Sequence, residues 1–125
     1  MSYRTDRQRV RGLGTAHEGT GHWWSQRLSS IALIPLTLCF IFPFAQNLGQ
    51  NFETVRATYA TPLNAIVAIL FLLVGFLHLQ QGVQVVVEDY VQDKPLRTAA
   101  LLANTLICWA LALTGAFAVA KIAFA

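Results

Sequence analysis

His78 lies near the middle of an uncharged stretch, residues 57–87, and an acid and a phenol, Asp89 and Tyr90, stand where that stretch ends. An ionisable side chain so deep in an apolar segment is costly, and it usually faces a protein interior, a cofactor or a proton path. A neutral imidazole there can serve as a haem ligand, a proton relay or a hydrogen-bonded packing residue. Gly82 follows His78 by about one helical turn and exposes backbone, so a flat macrocycle or a neighbouring helix can approach closely. A six-coordinate b-type haem needs two axial ligands, and the chain offers one deep histidine. If haem binds, the second ligand comes from another subunit. His22 precedes the first apolar run and is expected at the membrane surface, too shallow to reach the same iron.

Successive helical residues turn by about 100°, so eleven residues return to within roughly 20° of the starting direction. His78 and Asp89 therefore share a face, with Gly75, Gln81, Gly82 and Val85 on or beside it. At about 1.5 Å per residue they are about 16 Å apart along the axis, which puts His78 near the membrane midplane and Asp89 near its surface. Asp89 and Tyr90 also suit an ordinary span terminus, with tyrosine at the interface and the carboxylate solvated. Gln81 and Gln84 are expected to bond neighbouring helices.

The elements that must hold these groups are read from run length. A helix needs roughly 20 apolar residues to cross a hydrocarbon layer about 30 Å thick. Three uncharged runs qualify, at residues 28–52, 57–87 and 98–120. The strict alternation of a barrel strand is absent, so an all-α membrane protein with three transmembrane helices is predicted. Residues 1–21, polar and glycine-containing, read as an N-terminal tail, and residues 22–125 as a three-helix membrane anchor with spans at about 28–47, 62–88 and 98–121. Asp93, Lys94 and Pro95 form the turn that opens the third span. Pro35 and Pro43 fall within the first, where membrane helices tolerate kinks. Gly115, in an alanine-rich third span, reads as part of a helix interface.

Arg4, Arg7, Arg9, Arg11 and Arg27 precede the first span, and Lys94 and Arg97 lie between the second and third. With three spans those regions share one side, which the positive-inside bias makes cytoplasmic. Only Arg56 and Lys121 lie opposite. The net charge of +3 is thereby explained by topology, and no nucleic-acid partner is expected. A secretory signal pattern does not precede the first span, and Asp6 and Glu18 argue against a mitochondrial presequence. A bacterial inner (plasma) membrane is the expected location. Cys39 and Cys108 sit in different spans without a second ligand nearby and read as small buried hydrophobes. An iron-sulfur cluster, which normally takes four thiolates, must belong to another chain.

At the entry to the first span stand His22, Trp23, Trp24, Ser25, Gln26 and Arg27. Tryptophan and arginine at headgroup level read as an interfacial anchor. His22 and Arg27 are also placed to meet an anionic haem propionate, and arginine offers a carboxylate a two-pronged fork.

With this H-W-W-x-Q-R entry, three spans, and an H-x3-G-x6-D-Y pattern formed by His78, Gly82, Asp89 and Tyr90, most of the chain resembles the hydrophobic D-type membrane-anchor subunits of succinate dehydrogenase, respiratory complex II. The resemblance implies that His78 is one axial ligand of haem b, the other coming from the larger cytochrome b anchor subunit. It implies that Tyr90 donates a hydrogen bond to a ubiquinone carbonyl, supported by Asp89. His22, Arg27, Trp23 and Gly82 would border the haem propionates or pocket. The remaining partners implied are an iron-sulfur subunit and a flavoprotein subunit, and the chain would not be catalytic alone. Quinone reduction needs electrons and protons where an apolar tail can stay in lipid, which suits Tyr90 and Asp89 at the boundary. Other readings remain: a purely structural subunit without cofactor, a histidine-dependent proton-translocating or transport component, and a fumarate reductase anchor.

Overall fold

The computed structural model describes residues 5–7 and 19–124. Four helices follow in order: α1 (Gly19–Gln46), α2 (Phe52–Ala60), α3 (Pro62–Tyr90) and α4 (Lys94–Phe124). The chain is all-helical among the described residues, and α1, α3 and α4 are each long and apolar enough to cross a membrane. Most of the expected N-terminal tail lies outside the described residues. The polar entry of the first span is itself helical, because α1 begins at Gly19 and carries His22 through Arg27 in its first turns. Pro35 and Pro43 lie within α1 without ending it.

The connections are built from side-chain caps. Asn47 Nδ2 donates to the carbonyl of Pro43 at 2.6 Å, which satisfies an end carbonyl of α1. Gly49 then takes φ 77, a left-handed conformation that costs glycine nothing and reverses the chain. Asn51 Oδ1 accepts from the amide of Thr54 at 2.9 Å and so caps α2. This short helix was not expected from the charge pattern. The uncharged run 57–87 breaks at Pro62, which lacks an amide proton and is suited to a helix start, not an interior. Thr61 before it is extended, as a residue preceding proline must be. Thr58 Oγ1 donates to Asn47 Oδ1 at 3.2 Å and ties α2 back to the end of α1. Burial pushes the Tyr59 phenol of α2 above its ordinary pKa, so it stays neutral. At the last connection Asp93 Oδ1 accepts from the amide of Leu96 at 2.9 Å and caps α4, within the turn expected at Asp93, Lys94 and Pro95.

Helix α3 lies between α1 and α4 and packs along both. The buried apolar residues are all small: Ala65 and Ala68 of α3, and Cys108 and Ala112 of α4. Large side chains such as Leu28, Ile34, Phe42, Leu106 and Phe117 face outward. In water this would expose a continuous apolar shell; in lipid, small residues inside and large ones outside are the stable arrangement, since association there depends on close backbone approach. The chain is a multi-pass membrane protein. Cys39, expected in the interior, is exposed, because α1 meets α3 along one face only and Cys39 lies outside it.

The α3–α4 seam is partly polar. Asn104 Nδ2 donates to the carbonyl of Gln80 at 2.9 Å, and Gln80 Nε2 donates to Thr105 Oγ1 at 3.3 Å. Further along, a methyl group built on Gly115 would lie 3.1 Å from Leu72 Cδ1, so the expected role of Gly115 at a helix interface holds. Replacing Gly115 by leucine is expected to overpack this contact and cost about 1–3 kcal/mol. A lower thermal midpoint of the purified protein, or less of it assembled in the membrane, would register that cost.

Candidate functional site

The face of α3 that carries His78 is turned towards the first half of α1. His78 Nδ1 lies 3.0 Å from Ser29 Oγ. About one turn further along α3, Gln81 Nε2 donates to Ser25 Oγ, about one turn back along α1. A side chain built on Gly82 would begin 3.9 Å from Gln26 Nε2, and one on Gly75 would begin 4.0 Å from Leu33 Cδ2. Each step forward along α1 is matched by a step back along α3, so the two helices run antiparallel in one fixed register. Gly75, His78, Gln81 and Gly82, grouped on one face by their spacing, meet α1 together.

Ser29 is only 5% exposed and Gln81 only 6%, so these bonds are shielded from competition. The Ser29 hydroxyl donates to the carbonyl of Gln26 at 2.9 Å. With its single proton on that carbonyl the oxygen faces His78 as an acceptor, and turned the other way the hydroxyl donates to Nδ1 instead. In the first arrangement a neutral imidazole carries its proton on Nδ1 and presents the lone pair of Nε2, which has no hydrogen bond to any described residue. A metal-binding histidine characteristically has this state, with one nitrogen held by a hydrogen-bond acceptor and the other free.

Towards the start of α1, three buried polar atoms lack partners: His22 Nε2, Gln26 Oε1 and Gln81 Oε1. His22, expected at the membrane surface, lies in the first turns of α1 and is half-buried within the protein. It lies seven residues before Ser29, about 10 Å along the helix axis, so the separation from the level of His78 that was expected remains. Rotating a carboxamide by 180° exchanges its oxygen and NH2, so Gln26 can present a donor in place of its orphaned oxygen. The cluster is thus suited to an additional polar group.

Arg27 and Trp23 are exposed on another side of α1, with the guanidinium 5.2 Å from the Trp23 ring centroid. They are not brought to the His78 face. Trp23 and Trp24 pack edge to face at 5.1 Å, and this aromatic pair with its cation fits the headgroup level of a membrane. Asp89 and Tyr90 end α3, both exposed, Tyr90 by 81%. Neither side chain bonds another described residue. They lie roughly 16–18 Å along α3 from His78.

Ser29 was not singled out from the sequence, nor were Gln80 and Asn104. A serine in a span is common, and nothing but the register of α1 against α3 places it opposite His78. The available signal was the repeat of serine at positions 25 and 29, a spacing that puts both on one helical face.

A three-span helical subunit with a polar seam inside and an apolar surface outside has the form of a membrane anchor, and the comparisons agree. Residues 1–117 match the family model described as succinate dehydrogenase/fumarate reductase transmembrane subunit. The chain is 35% identical to the succinate dehydrogenase hydrophobic membrane anchor subunit of Paracoccus denitrificans, over 97% of this chain and 93% of that one. It is 26% identical to the subunit of the same name from Rickettsia bellii, over 83% of each, and 28% identical to the succinate dehydrogenase membrane anchor subunit of Reclinomonas americana, over 66% of this chain and 72% of that one. No solved structure gives a significant match. The chain belongs to the succinate dehydrogenase/fumarate reductase transmembrane subunit family, as the resemblance in its motifs implied.

The interhelical bond of Gln81 can be measured directly. Gln81→Leu keeps most of the volume and removes the donor to Ser25, and is expected to destabilise the α1–α3 seam by about 0.5–1.5 kcal/mol. Thermal unfolding of the assembled protein checks it, with Ser25→Ala in the Gln81→Leu background adding little more.

Proposed function

We propose that this hydrophobic anchor holds one side of a haem b, lines a ubiquinone site, and docks the flavoprotein and iron-sulfur subunits on the cytoplasmic face of a bacterial inner membrane. The observation that carries the haem reading is the 3.0 Å contact of His78 Nδ1 with Ser29 Oγ, which, with the serine proton on the Gln26 carbonyl, leaves Nε2 as a free donor deep in a membrane helix. The second axial histidine comes from the larger cytochrome b anchor, since His22 lies about 10 Å from the level of His78. The orphaned polar atoms of His22 and Gln26 make them the inner candidates for a haem propionate. Gly82 keeps the groove wall low beside them. Arg27, packed on Trp23, serves the rim of that pocket. Haem b bound here would supply a one-electron store beside the quinone site.

Tyr90 and Asp89 belong to the end of α3 that the lysine and arginine bias assigns to the cytoplasm. Ubiquinone takes up two electrons and two protons to become the quinol. The electrons arrive from the iron-sulfur subunit, which holds the four-thiolate clusters this chain lacks. Tyr90 donates its hydroxyl hydrogen bond to a quinone carbonyl, and Asp89 exchanges protons with water beside it. The 81% exposure of Tyr90 in the isolated chain supports a ring that is covered by substrate and partner subunits.

In His78→Ala complex the haem is expected to be lost or to change its reduced-minus-oxidised spectrum; a spectrum and midpoint potential equal to wild type would remove His78 as a ligand. Tyr90→Phe keeps the ring and deletes the donor. It is expected to lower quinone-dependent turnover by roughly one to two orders of magnitude, the cost of an unpaired acceptor being about 1–3 kcal/mol. Succinate oxidation by an artificial acceptor, measured on the same preparation, should be spared. Equal loss of both activities would point to failed assembly, and undiminished quinone reduction would exclude the hydroxyl.

A further inference from the structure

We propose that Ser29 is a positioning residue for His78, fixing its tautomer, its ring orientation and its strength as an electron donor; this rests on the reading of His78 as a haem ligand. The geometry is specific. Two hydroxyls, Ser29 Oγ at 2.9 Å and Ser30 Oγ at 2.8 Å, both donate to the carbonyl of Gln26. Ser29 Oγ lies 3.0 Å from His78 Nδ1 in a site where the serine is 5% exposed, and with its proton on that carbonyl it meets the ring as an acceptor. The imidazole is held at two points on two helices: its Cβ belongs to α3 and its Nδ1 is tied to α1. Rotation about the ring's own axis is then restricted, and the plane in which Nε2 presents its lone pair is set by the register of α1 against α3. Donation from Nδ1–H to an oxygen also raises the basicity of the ring, which favours the more positive, ferric state of a bound iron.

The test uses the whole complex carrying Ser29→Ala, Ser29→Thr or Ser29→Cys, with His78→Ala alongside. Redox titration reads the midpoint potential, and low-spin electron paramagnetic resonance reads the orientation of the axial rings through its largest g value. Ser29→Ala is expected to retain haem, to raise its midpoint potential, and to shift that g value, because the ring loses its acceptor and its second point of attachment. Ser29→Thr, which keeps a hydroxyl able to donate to the same carbonyl, should return both readings towards wild type. Should Ser29→Ala fail to assemble, Ser29→Cys decides: its volume is close to serine and sulfur is a weak acceptor, so it should shift both readings in the direction expected for alanine.

A haem-loaded Ser29→Ala complex with wild-type potential and g values, while His78→Ala alters the haem, would overturn the role of Ser29 and leave the ligand assignment standing. Haem unchanged by His78→Ala would overturn both. Quinone reduction is not the deciding readout, because a general loosening of the groove would lower it whatever Ser29 does to the imidazole.

Discussion

An imidazole in the middle of a membrane helix has no water to satisfy it, and most of the architecture around α3 answers that constraint. A lone polar group in hydrocarbon costs several kcal/mol unless it finds a partner within the protein. His78 finds Ser29, Gln81 finds Ser25, and Gln80 finds Thr105. These partners lie on two different helices, so α3 has to be flanked on both sides. That requirement, more than apolar attraction, sets the order in which the helices pack, since lipid tails solvate leucine as well as another helix does.

Close approach is the second half of the same solution. A hydrogen bond of about 3 Å between short side chains such as serine and histidine can form only where the helix backbones are near each other. The small residues supply that nearness. Gly75 and Gly82 bracket His78 on the α1 side, and Ala65, Ala68, Ala112 and Gly115 serve the other seam. Large side chains are displaced to the outer surface, where they meet lipid or partner subunits. At Gly82 a methyl group would reach only ordinary contact with Gln26 Nε2, at 3.9 Å, so this glycine faces α1 without being squeezed by it.

Run length and charge made the three spans legible in the sequence. The common face of Gly75, His78, Gln81 and Gly82 was legible too, because it follows from helical spacing alone. What was hidden depended on how two helices meet. Ser29 and Asn104 become informative only in register with α3, and that register is set by contacts distributed along both seams. The early start of α1 was hidden for a different reason: its entry is polar, and a polar helix next to a span leaves no hydropathy signal. His22 and Arg27 are five residues apart, which turns a helix by about 140°, so the arginine packs on Trp23 while the histidine turns inward.

The choice of a hydroxyl opposite His78 also follows from the medium. A carboxylate at that level would polarise the ring more strongly, as carboxylates do for many metal-bound histidines. But a charged acid at the centre of a membrane helix carries a cost of roughly 2.5–3.5 kcal/mol even on insertion scales. On the proposed haem reading it would also add negative charge beside a group that accepts an electron. Serine avoids both penalties, because its proton goes to a backbone carbonyl on its own helix and no net charge is buried. On the proposed haem reading, Ser29 would orient the ring and tune its donor strength without burying a charge, while the orphaned polar atoms near His22 would act on the group from a different level.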